Sequence, residues 1–122
     1  MSEAKDALYR RFYAYALKII KFVEEIPDSQ TTRVMKGQLI RSGTSVAANI
    51  IEAKGASSKK DYVNFYSYAL KSANESKFWL CLLRDSGKVS SAVAGPLIAE
   101  TTEISNILGA SILTMKGKRK NY

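Results

Sequence analysis

The chain predicts an all-α fold, an antiparallel up-down-up-down four-helix bundle. Three observations carry that prediction. Apolar residues recur at helical spacing through four successive segments. Alternating β-branched runs bounded by turn pairs are absent. The breaks between segments are short, about 4 to 6 residues, which favours antiparallel neighbours. With 122 residues, one domain is expected, and 46% apolar content is enough to build a core. The bundle domain is read as residues 1–115, with a basic tail, 116–122, expected to be disordered.

The first helix is predicted from about Ala4 to Glu25. Leu8, Phe12, Tyr15, Ile19, Phe22 and Ile26 are spaced 4, 3, 4, 3, 4, a heptad-like seam. Pro27, Asp28 and Ser29 end it. The second runs from Thr31 or Thr32 to Lys54, with Gly55 suited to a left-handed cap. Gly43 inside it costs about 1 kcal/mol relative to Ala, so close helix–helix approach is its expected use.

The third helix starts near Ser58, whose hydroxyl can cap it, with Asp61 three positions on. Tyr62, Phe65, Ala69, Ser72, Ser76, Trp79 and Leu83 form the predicted seam, small in its middle and large at its ends. Helix two is also small in its middle, so the two helices are expected to approach closely there. Asp85-Ser86-Gly87 closes the third helix. The fourth runs from Ser90 or Ser91 to about Met115, with Val93, Leu97, Ile104, Leu108 and Ile112 on its apolar side. Pro96 kinks this helix if it starts at Ser91. It takes the favoured first position if the start is near Gly95.

Helix two carries the main functional clue. Gln38, Arg41, Ser45, Asn49 and Glu52 are spaced 3, 4, 4, 3. At about 100° per residue they fill an arc of roughly 80°. Leu39, Ile40, Val46, Ala47, Ile50 and Ile51 occupy the other side. Three readings of the stripe stand open. It is a buried polar network with Arg41 paired to Glu75 or Glu52, a subunit interface of exchanged amides, or an exposed binding strip.

Net charge is +8 and the isoelectric point is about 9.6, which attracts polyanions. The cations fall in groups: Arg33 and Lys36 at the start of helix two, Lys54, Lys59 and Lys60 around the following connector, and Lys118, Arg119 and Lys120 in the tail. These are the candidate nucleic-acid contacts. The connector also joins two hydroxyls to a helix N-terminus, a natural anion site. Helix-three aromatics at the helical repeat are read as packing before base stacking.

Catalysis is poorly provided for. The chain has no His and one Cys, so the commonest general base and a zinc ligand set are missing. Glu52 and Glu75 are enough for a carboxylate pair, but spacing suggests no nucleophile or metal beside them. No enzymatic activity, metal or cofactor is expected. Cys81, among Trp79, Leu80, Leu82 and Leu83, reads as a small apolar filler. Without an apolar leader or a run of membrane-spanning length, the expected location is the cytoplasm, with no membrane partner.

Gln38-Leu39-Ile40-Arg41, Ser45-Val46-Ala47-Ala48-Asn49-Ile50-Ile51-Glu52 and Ser57-Ser58-Lys59-Lys60-Asp61-Tyr62 resemble the signature of a bacterial family. Its members are four-helix bundle proteins named for reading frames within intervening sequences of 23S ribosomal RNA genes. Phe65, the run Ala69, Ser72, Glu75, and Gly87 extend the resemblance over about Phe12 to Leu113. Ala47 and Ala53 depart from the pattern, which often has Pro and Gly there, and without that Pro helix two is expected to be straighter. The resemblance implies a ring of copies, commonly a homopentamer, and marks Arg41, Asn49 and Glu52 as signature positions. More distantly, the chain is similar to the accessory subunit of diversity-generating retroelements, which binds nucleic acid and a reverse transcriptase. A nucleic-acid-associated homo-oligomer is therefore expected. The alternative is a scaffold that offers inter-subunit grooves to a protein partner.

Overall fold

The structure, a computed structural model, describes residues 3–117. It contains α1 (Glu3–Glu24), α2 (Gln30–Ala53), α3 (Lys59–Asp85) and α4 (Ser91–Met115). Lys118, Arg119 and Lys120 lie outside the described residues.

Pairwise contacts fix the helix directions. A Cβ on Gly43 of α2 would lie 2.9 Å from Cγ1 of Ile19 in α1, while Lys54 sits over Tyr9, 5.7 Å from its ring centre. Residue numbers thus rise on α1 as they fall on α2. Ser42 meets Ser76 across α2–α3, and Asn74 meets Ser105 across α3–α4. Arg11 meets Glu100 and Phe22 lies near Val93 across α1–α4. Every sequential pair is antiparallel, and α1 and α4 complete the bundle with the loosest packing of the four seams.

Local chemistry sets the helix ends. Ser29 belongs to α2 rather than to the stop of α1. Its hydroxyl accepts from Thr32 N–H at 3.1 Å, and Thr32 Oγ1 accepts from Ser29 N–H at 2.8 Å. That reciprocal box starts α2 at Gln30, ahead of the predicted Thr31 or Thr32. Gly55 is not left-handed. Short bonds from Lys54, Gly55 and Ala56 back to residues 51–53 end α2 instead. The left-handed cap is Gly87, with φ of +80°. There Lys88 N–H bonds to Leu83 and Gly87 N–H to Arg84, closing α3. Ser90 caps α4 through Val93 N–H, so the helix starts at Ser91 and Pro96 lies inside it, past the first turn.

The seam predicted for α1 is buried from Phe12 to Ile26, with Leu8 partly buried. The α3 seam is rotated from its predicted position. Val63, Tyr66, Ala73 and Leu80 join Ala69, Ser76 and Leu83 inside, while Tyr62, Phe65, Ser72 and Trp79 are half-buried. The reason is packing on two sides: α3 lies between α2 and α4, so its buried arc is centred between them, and the predicted seam is only the α2-facing flank. On α4, Ala94 and Thr101 are buried and Val93 is exposed. On α2, Leu39, Val46, Ala47 and Ile50 are inside, but Ile40 and Ile51 are exposed. Each fully buried Phe, Ile or Leu contributes about 1.5–3 kcal/mol.

A hydroxyl layer crosses the middle of this core. Thr101 Oγ1 donates to the Leu97 carbonyl at 2.7 Å, so Tyr15 O–H donates to Thr101 at 2.6 Å. Ser42 and Ser76 share a hydrogen bond at 2.8 Å, and each hydroxyl also reaches a carbonyl of its own helix, Leu39 and Ser72. One residue from each helix takes part, and no buried side-chain polar atom among the described residues lacks a partner. Burial pushes the Tyr15 hydroxyl above its ordinary pKa, partly offset by Thr101 and Ser76. The predicted close approach of α2 and α3 is made by Ser42 and Ser76. Gly43 serves the α1 side instead.

Candidate nucleic-acid interface

The up-down topology gathers cations from three places in the chain at one end of the bundle. Lys54 closes α2, and Lys59 and Lys60 open α3. Lys5 comes from the start of α1 and Lys116 from the end of α4. Lys5, Lys54, Lys59, Ser57, Ser58 and Tyr62 line a cavity of about 400 Å³. Lys59, Lys60, Asn64, Met115 and Lys116 line another of about 560 Å³. Lys59 is shared, so the two hollows form one cationic rim.

Aromatic rings hold part of that rim. Lys5 lies 4.8 Å from the centre of the Tyr62 ring, and Lys54 lies over Tyr9. The Tyr62 and Tyr66 rings are 5.1 Å apart, with hydroxyls 3.2 Å apart. Burial, then the bond with Tyr62, raises the Tyr66 pKa. Lys59 and Lys60 are exposed and enter no ion pair among the described residues.

The α3 N-terminus is capped at one amide and carries a carboxylate in its first turn. Ser58 Oγ accepts from Asp61 N–H at 3.0 Å, and Asp61 Oδ2 accepts from Ser57 N–H at 3.1 Å. The chain supplies its own carboxylate where the connector alone suggested a ligand.

Arg33 and Lys36, grouped with these lysines by sequence, lie at the opposite end. Lys36 Nζ donates to the Ile26 carbonyl at 2.8 Å and pairs with Asp28; its side chain is only 12% exposed. The Lys36 hydrogen bond is the main cause holding the Asp28 carboxyl below its ordinary value, with a smaller contribution from Arg33. Arg84 is paired there with Asp85 at 2.8 Å. Lys36 and Arg84 are thus engaged at this end, while Lys21, Arg33 and Lys88 are exposed and enter no ion pair among the described residues.

The polar stripe lies on the surface of the protomer, which removes the buried-network reading for a single copy. Arg41 does pair with Glu75, as one reading required, but at 3.5 Å with side chains 69% and 42% exposed. Gln38 Oε1 also accepts from Arg41, and Glu75 Oε2 accepts from Trp79 Nε1 at 3.0 Å. Ser45 and Asn49 turn back onto the Arg41 and Ser45 carbonyls of their own helix. Glu52 is exposed at the rim of the α1–α2 groove. Glu52 and Glu75 thus face different seams and form no carboxylate pair.

Lys5 and Lys116 were not singled out from the sequence. Helix parity was the available signal, because four alternating helices return both chain ends to the α2–α3 connector. No group of three or more potential metal ligands occurs among the described residues. No described helix is long and apolar enough to cross a membrane.

No curated protein matches the chain. A crystal structure of a protein of unknown function from the S23 ribosomal protein family of Bacteroides thetaiotaomicron is similar, with a TM-score of 0.80 and 33% identity. The match covers 86% of this chain and 97% of that one. Residues 5–110 match the 23S rRNA-intervening sequence protein family, which takes in all four helices almost to the end of α4. The chain belongs to that family.

Proposed function

We propose that this protein is a non-enzymatic, homo-oligomeric helical bundle of the cytoplasm that binds RNA, or another nucleic acid, at the lysine-rich end. The observation that carries the reading is the shared cationic rim of Lys5, Lys54, Lys59, Lys60 and Lys116. Ammonium groups around shallow hollows suit a phosphate backbone, which asks for charge rather than a deep pocket. The family's description in terms of 23S rRNA supports RNA as the first polyanion to test. The homopentamer implied by the signature residues would multiply the rim and raise its avidity.

Light scattering on the purified protein, with ultraviolet absorbance, reports assembly size and co-purified nucleic acid together. Titration against a structured RNA should give an affinity that falls steeply with salt, with a log–log slope of about −2 to −4 for three to five phosphate contacts. No binding at about 50 mM salt overturns the reading.

A second reading is a scaffold for a protein partner, favoured by the apolar groove between α1 and α2. A pull-down that returns a stoichiometric protein and no nucleic acid decides for it.

A further inference from the structure

Two exposed apolar surfaces remain after the core and the cationic end are accounted for. On α1, Tyr13, Leu17, Ile20 and Glu24 are spaced 4, 3, 4. Tyr13 and Leu17 are 52% and 54% exposed. They wall a groove of about 390 Å³ whose α2 side is small in Thr44, Ala47 and Ala48 and large at one end, in Ile51 and Glu52. On α3, Lys71, Glu75, Phe78 and Leu82 repeat the same 4, 3, 4 spacing. Phe78 is 56% exposed and held edge-on against Trp79, with ring centres 4.9 Å apart. One surface is a recess and the other a stiffened ridge, and both have the period of a helix–helix seam.

Each surface offers charged groups of the sign the other lacks in unpaired form. Glu52 lines one end of the groove, where Lys54 also lies over Tyr9, and Glu24 stands one turn beyond Ile20 at the other end; neither acid enters any ion pair among the described residues. Exposed Arg41 and Lys71 flank the ridge. Glu75, the acid on the ridge, is already held by Trp79 and Arg41. A groove-to-groove contact would set like charges together and leave the recess unfilled.

We infer that the Phe78–Leu82 ridge of one copy seats in the α1–α2 groove of the next, so that Arg41 and Lys71, both at the Glu75 end of the ridge, face one of the two unpaired acids, Glu24 or Glu52, at the ends of that groove. The occupant of the groove is thus a second copy of this chain. Because ridge and groove are different surfaces of one protomer, the contact can repeat head-to-tail into a ring or filament, and it can also be made twice in a two-fold pair. The inference rests on the homo-oligomer reading above and adds the faces that meet. It also gives Arg41 a place: its guanidinium is held by Gln38 and Glu75 on the rim of the contact, with N–H groups left to donate.

Mixing complementary variants tests it. Leu17→Glu spoils the groove and leaves the ridge; Phe78→Glu does the reverse. Both positions are exposed, so circular dichroism should report full helix content, and Tyr13→Glu repeats the groove arm on the same wall. By light scattering, each variant alone should fall to the protomer mass of 13.5 kDa. An equimolar mixture should form a one-to-one pair, because one intact groove meets one intact ridge. If Phe78→Glu keeps the wild-type mass while Leu17→Glu loses it, the contact is groove to groove and the inference is overturned. A mixture that stays at the protomer mass overturns it too. A wild-type protein that is monomeric at every concentration sinks the homo-oligomer reading as well.

Discussion

Both ends of the bundle carry cations, and they differ in how some of those cations are engaged and in whether the rest surround a shared hollow. At the end built from the α1–α2 and α3–α4 connectors, Lys36 is spent on Asp28 and the Ile26 carbonyl, and Arg84 on Asp85. At the other end, Lys54, Lys59 and Lys60 enter no ion pair among the described residues, and Lys54 lies over the Tyr9 ring. The difference teaches that net charge is a poor guide to where a polyanion binds. What counts is whether nearby carboxylates and carbonyls have already engaged each ammonium group.

The sharpest way to break this comparison is to neutralise the open end. The triple substitution Lys54→Gln, Lys59→Gln, Lys60→Gln should lower affinity for a structured RNA about a hundred-fold at about 0.1 M salt and flatten the salt slope by about 2. Fluorescence anisotropy over a salt series measures both, and an unchanged slope removes these lysines from the interface.

Gly43→Ala acts at the middle and should spare the comparison. The added Cβ would press on Ile19, whose Cβ is itself only 3.3 Å away. Overpacking of about 1–3 kcal/mol outweighs the gain of about 1 kcal/mol in helix propensity. Urea denaturation should show a net loss of about 1 kcal/mol, while RNA affinity per folded molecule stays constant.

Lys36→Met probes the opposite end. RNA affinity should change by less than about two-fold, while stability drops by about 1 kcal/mol through the lost bond to the Ile26 carbonyl. Because Lys36 holds the Asp28 carboxyl below its ordinary 3.8, the wild-type pair stabilises the fold fully above that value. Its contribution is lost as pH falls through the lowered folded value. Denaturation curves across the acid range should lose this limb in the variant.

The smallest effect is expected from Arg41→Ala on the stability of the isolated protomer. A surface pair of this exposure is worth less than about 1 kcal/mol, and thermal unfolding should barely shift. A loss of about 3 kcal/mol or more would mean that a carboxylate is stranded away from water.

How much of this was legible in advance depended on the range of the interaction. The α1 seam could be read because Phe12, Tyr15, Ile19 and Phe22 follow one unbroken heptad pattern toward a single interior. The α3 seam was legible only as to its helix, because residues on either flank of an element packed on two sides satisfy the same period. Ile40 and Ile51 looked like core and proved to be surface, since hydrophobicity does not say whether a neighbouring helix arrives to cover it. In the α2–α3 connector the sequence places Asp61 three positions after the Ser58 cap but does not show what its carboxylate bonds. Its carboxylate reaches back one residue beyond the cap, a bond visible only once the turn is formed.

By itself the sequence determined that the chain would be four antiparallel helices, because periodicity, caps and short connectors are local properties. It also determined the total charge and the polar stripe on α2. Tertiary structure alone decided which lysines stay open, which hydroxyls meet across the core, and that the stripe lies outside. Those outcomes depend on contacts between residues far apart in the chain, such as Ser42 with Ser76 or Tyr15 with Thr101, which no local spacing encodes.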